Sequence, residues 1–119
     1  MMRLTAVVAM VVALSGCYSS QSPQVSVTCR AGKDCEIAWG KAWRWVESVS
    51  SRPIKKVDDF RITTTTPKDG EAAIAYEVTK RAVSANTYEI SLVAWCANAL
   101  GCVEDPDLKA RNFVQYMTQ

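Results

Sequence analysis

The residues of this chain best suited to chemistry are its five cysteines, and their spacing is uneven. Four form two matched pairs, Cys29 with Cys35 in "CRAGKDC" and Cys96 with Cys102 in "CANALGC", each with five residues between them. The fifth, Cys17, stands alone where the apolar stretch "VVALSG" gives way to the polar "YSSQSPQ". Histidine is absent, so the commonest general base, the commonest metal ligand and the Ser-His and Cys-His nucleophile pairs are all missing. The remaining polar groups offer less. Asp58 and Asp59 are adjacent carboxylates, but neighbours on a strand point to opposite faces and do not converge. Glu104, Asp105 and Asp107 lack the loop of about twelve residues with a central glycine that holds calcium, and they read as helix-capping charges. Ser48, Ser50 and Ser51 have no histidine partner and no recognised spacing to Lys55 or Lys56. The expectation is a protein that is not an enzyme and that has no cofactor or metal site.

With 119 residues there is room for one domain. A hydrophobic share of 49% and a charged share of 22% mark a globular chain rather than a disordered one. The net charge of +2, with no run of more than two Lys or Arg, gives no phosphate-binding stripe, so nucleic acid is not an expected partner.

Residues 1–16 are built as a secretory signal: one charge at Arg3, then residues 4–14, apolar apart from Thr5, then small residues. The apolar stretch rises about 16 Å as a helix, too short for a hydrocarbon core of roughly 30 Å. Its ending, Leu14-Ser15-Gly16-Cys17, resembles the lipobox of bacterial lipoproteins: an aliphatic residue, two small residues and a cysteine. The resemblance implies that Cys17 carries a diacylglyceryl group, that the signal is cut before it, and that the new amine is often acylated too, as with palmitate. Each buried methylene then contributes about 0.8 kcal/mol, and two or three chains anchor far better than one. Tyr18, rather than Asp, follows the cysteine. By the same resemblance this sends the protein to the outer membrane, on its periplasmic face, with the inner membrane as the alternative. Residues 17–24 then form a lipidated tether, with an r.m.s. reach of about 15 Å if flexible, and residues 25–119 the folded domain.

With Cys17 acylated, an even number of cysteines enters an oxidising compartment. That reads as disulfides, with three possible connectivities. The matched spacing favours the local pairs Cys29–Cys35 and Cys96–Cys102, each contributing about 2–2.5 kcal/mol through chain entropy. A zinc site of four thiolates is the rival reading, weakened by the compartment and by the lack of a C-x-x-C knuckle.

These cysteines must be positioned by the surrounding elements. Alternation of Val25, Val27 and Cys29 predicts a strand over 24–29. Residues 34–50 predict a helix capped by Asp34, with Cys35, Ala38, Trp39, Ala42, Trp45, Val46 and Val49 in one inward arc and Trp43 at its flank. Three strands follow, over 54–65, 72–83 and 87–96. In the first, Ile54 and Val57 are out of phase with Phe60, Ile62 and Thr64, which predicts a bulge near Asp58–Asp59. Asp105 and Pro106 open a last helix to about residue 117, burying Ala110, Phe113 and Met117. The order β-α-β-β-β-α implies a two-layer α+β domain. An antiparallel meander carries helices on one face, the first strand joins at an edge, and two disulfides close the fold.

The mature chain also resembles small outer-membrane lipoproteins of proteobacteria. The resemblance runs through Asp34-Cys35, Ala38-Trp39, Trp45-Val46, the threonines 63–66, and Cys96 with Gly101-Cys102; it implies no activity. Trp43 and Trp95, the two tryptophans outside the predicted core faces, and the basic residues Lys41, Arg44, Arg52, Lys55 and Lys56 are the candidate interaction surface. The expected function is a non-enzymatic protein-interaction or structural module of the cell envelope, held to the membrane through Cys17. The alternative is a ligand-binding or inhibitor module, for example one directed at a cell-wall hydrolase.

Overall fold

The computed structural model describes residues 20–119. The signal segment, the lipobox and Cys17 lie outside the described residues. In chain order the elements are β1 (Val25–Arg30), α1 (Lys33–Val49), β2 (Ile54–Val57), β3 (Arg61–Thr64), β4 (Ala75–Ser84), β5 (Thr87–Trp95) and α2 (Pro106–Met117). The strands form one antiparallel sheet in the order β1-β5-β4-β3-β2. Both helices pack on one face of it, so the fold is two-layer α+β. Among the described residues no helix is long and apolar enough to cross a membrane.

The register explains which face is covered. Val27 pairs with Ile90, and Ile62 with Val78, which pairs in turn with Leu92. These side chains share one face; Ile62, Val78, Ile90 and Leu92 are buried with Tyr76 and Ala94, and Val27, partly buried, packs against them at the β1 edge. From above, Ala42, Trp45 and Val46 of α1 and Ala110 and Phe113 of α2 close the core. Trp45 is its hub, edge-on to Tyr76 at 5.3 Å and to Phe113 at 5.2 Å between ring centroids, a geometry favoured by the ring quadrupoles. The two disulfides are the local pairs. Cys29–Cys35 ties β1 to the first turn of α1, and Cys96–Cys102 ties the exit of β5 to the loop before α2.

Three sequence expectations are corrected. The strand predicted over 54–65 is a hairpin: β2 and β3 are separate strands that pair with each other, making five strands rather than four. Asp58 reverses the chain. Its carboxylate accepts the N–H groups of Phe60 (2.8 Å) and Arg61 (2.9 Å), and its own N–H donates to the Arg61 carbonyl (3.0 Å). The broken phase between Val57 and Phe60 marked a turn, in which an Asp side chain replaces a ladder bond. Asp34 does not cap α1. Gly32 does, at φ 96° with no side-chain bond, a left-handed conformation that suits glycine in so tight a connection. Asp34 reaches back instead and accepts the Arg30 N–H at 2.7 Å. Lastly, residues 20–22, assigned to the tether from sequence, run along β5. The Ser22 N–H donates to the Ala94 carbonyl at 2.8 Å, the Cys96 N–H to the Ser20 carbonyl at 2.9 Å, and Gln21 bridges to Trp95. At the other end of the chain, Asp105 caps α2 as expected, accepting the Asp107 N–H, with Pro106 at the first turn.

Candidate functional site

The two edges of the sheet are treated differently. β2 has only four residues, follows Pro53, exposes Lys55 and Lys56, and is irregular between Ile54 and Lys56. Each of these features blunts a strand edge against pairing with another chain. β1 has six residues, and Ser26 and Thr28 are exposed along it. Backbone groups alternate direction along an antiparallel strand. The Ala31 N–H reaches the Asn86 carbonyl on the β5 side, while the Arg30 N–H turns outward to Asp34. Ser26 and Thr28 share the phase of Arg30, so their N–H and C=O groups point away from β5. Asp34 caps only the Arg30 end.

Alongside this edge lies a groove of about 590 Å³ between β1, α1 and the end of α2. Its apolar wall comprises Ile37, Ala38, Val114 and Met117, and Ile37 is 57% exposed. Asp34 lines it as well, as does Lys41, two turns further along α1. The Lys41 ammonium is 3.4 Å from the carbonyls of Met117 and of Gln119, to which it donates, and it sits over the Tyr116 ring. Among the described residues β1 is an edge strand, and such an edge beside an apolar trough, with a carboxylate and an ammonium on its walls, can take an extended peptide: backbone bonds give affinity and alternate side chains enter the trough.

A second feature, which sequence reasoning missed, lies where β4 meets the β2–β3 turn. Lys80 continues the inward phase of Tyr76 and Val78. Its ammonium sits 5.1 Å from the Trp39 ring centroid, 5.7 Å from that of Tyr88 and 5.8 Å from that of Phe60. The negative π-faces compensate the charge, and the Trp39 indole N–H donates to the Asp58 carbonyl at 2.9 Å. A cavity of about 350 Å³, lined also by Glu36 and Asp59, opens beside it. The signal was available: period-two alternation carried from Ile74 through Tyr76 and Val78 places Lys80 on the core face.

The predicted interaction residues do not form one surface. Lys41 joins the β1 groove. Trp43 follows it by two residues, about 200° around the helix, and is 41% exposed on the other flank of α1. Arg44 is also exposed on α1. Lys55, Lys56 and Trp95 line one cavity of about 360 Å³ on the uncovered face of the sheet. Arg52 is committed to the fold: its side chain is 10% exposed, and it pairs with Glu71 at 2.7 Å and bonds the Ala73 carbonyl at 3.1 Å. The Arg52 hydrogen bond is the main cause holding the Glu71 carboxyl below its ordinary pKa. Asp58 is likewise lowered, chiefly by the Phe60 N–H.

The other polar candidates serve the backbone. Ser48 bonds the Trp45 carbonyl and Ser50 bonds Arg52. Glu104 pairs with Lys109 at 3.3 Å. Among the described residues, no three carboxylate or thiol side chains gather to hold a metal ion. No protein-family model, no curated protein and no solved structure matches the chain.

Proposed function

We propose that the chain is a lipid-anchored, periplasm-facing protein of the Gram-negative outer membrane. Its domain binds another envelope protein, without catalysis, by adding an extended segment of that partner to the β1 edge. The observation that carries this reading is the contrast between the edges: β2 is short, basic and irregular, whereas β1, among the described residues, has no strand beyond it and turns backbone groups outward beside an apolar groove. The absence of histidine supports a binding role, and Leu14-Ser15-Gly16-Cys17 supports the anchor.

The test is photo-cross-linking in intact cells, with p-benzoylphenylalanine in place of Ser26, Thr28 or Ile37, and of Glu47 as a control on α1 away from the groove. A specific adduct with one envelope protein at the three groove positions, lacking at position 47, is the expected outcome. If that partner is a cell-wall hydrolase, the same edge is inhibitory. No adduct at any groove position, or the same adduct at position 47, would sink the proposal.

A further inference from the structure

We infer that the loop of residues 97–103 rests in the same bilayer that holds the acyl chains, with Leu100 and Val103 as its apolar contacts. This fixes the domain with its Cys96–Cys102 end toward lipid. The inference rests on the lipoprotein reading of Cys17.

Ser20 is pinned to the exit of β5: its carbonyl accepts the Cys96 N–H at 2.9 Å and lies 3.9 Å from the Cys102 sulfur. Cys17 is three residues earlier, so covalent geometry alone keeps it within about 11 Å of Ser20. Any lipid on Cys17 therefore holds this end of the sheet at the membrane surface. The loop beside Ser20 carries Leu100, 89% exposed, and Val103, 69% exposed, the two most exposed of the large apolar side chains described.

The loop is also suited to lipid in its polar groups. Residues 97–103, "ANALGCV", contain no charge. Backbone groups entering an apolar medium must be satisfied internally, and several here are. The Leu100 N–H donates to the Asn98 side-chain oxygen at 2.8 Å and the Gly101 N–H to the Asn98 carbonyl at 3.0 Å. The Asn98 amide donates to the Gly70 carbonyl at 2.8 Å, and the Val103 N–H to the Ala72 carbonyl at 2.9 Å. Gly101, at φ 108°, supplies the left-handed turn that presents Leu100 outward. Two of the neighbouring carboxylates are paired, Glu71 with Arg52 and Glu104 with Lys109. With no basic cluster in the loop, contact is apolar and independent of anionic lipid.

The full-length protein, purified from membranes, is checked by intact mass for acylation at Cys17. It is then reconstituted into phosphatidylethanolamine–phosphatidylcholine vesicles, with and without phosphatidylglycerol. p-Benzoylphenylalanine replaces Leu100, Val103 or, as the control, Phe60, which is exposed beside Lys80 at the opposite end of the sheet. The expected result is lipid adducts at positions 100 and 103 in both vesicle types and none at position 60. Acylated protein without lipid adducts at 100 and 103, with equal adducts at 60, or with adducts to a second copy of the chain overturns the inference and leaves the lipoprotein reading standing. Cys17 found unmodified removes that reading and the inference with it.

Discussion

The Tyr76 hydroxyl is a polar atom in an apolar place. The residue is buried beneath Trp45, and among the described residues its oxygen has no hydrogen-bond partner. Burial first, and the Glu104 charge second, push its ionisation well above the ordinary phenol range. An unpaired buried hydroxyl forfeits its hydration without return, at about 1–3 kcal/mol. Tyr76→Phe keeps the ring and its edge-on contact while removing the oxygen, so the variant should be more stable by about 1 kcal/mol. A urea midpoint that falls instead would show that the hydroxyl is satisfied. The position of this side chain was legible, since Ile74, Tyr76 and Val78 alternate; its unpaired oxygen was not, because pairing depends on neighbours remote in sequence. Lys80 makes the complementary case. Its inward phase was equally legible, but an inward lysine is acceptable only because Trp39, Phe60 and Tyr88 arrive from three other elements or turns.

At the scale of elements, α1 offers the sharpest comparison. Trp45 is 5% exposed and Trp43 is 41% exposed on the same helix. Truncating a buried aromatic costs about 3–5 kcal/mol because the site cannot collapse. A flank residue should cost nearer 1 kcal/mol. Trp45→Ala should therefore unfold or nearly unfold the domain, while Trp43→Ala leaves it folded. Equal losses in chemical denaturation would place Trp43 in the core. The wheel of α1 was readable because a seventeen-residue helix carries its own period. The β2–β3 hairpin was not, because strands of four residues hold too few alternations to separate a turn from a bulge. Only Asp58, placed to accept two successive N–H groups, decides between them. The same four-residue length makes β2 a guarded edge, and this is why the proposed partner is placed on β1.

The β1 groove exists only at the scale of the whole molecule. Ser26, Ile37, Lys41 and Met117 are brought together by the fold, and no local pattern in the sequence marks them as one site. The compartment, by contrast, is an expectation read entirely from a local motif ending at Cys17. The two meet in a final prediction. Cys17→Ser should leave the domain folded, with both disulfides formed, since neither pair involves Cys17 and the core lies within residues 20–119. It should release the protein from membranes into the soluble periplasmic fraction and abolish labelling by a fatty-acid analogue. Groove binding itself would be chemically intact, but a tether confines the domain to the partner's surface and raises its effective concentration there. Cross-linking from position 28 to a membrane-bound partner should therefore fall sharply in the Cys17→Ser background and recover when the soluble domain is overproduced. Unchanged label at Cys17→Ser would refute the anchor. Label lost with cross-linking undiminished would keep the anchor and show that the partner is soluble.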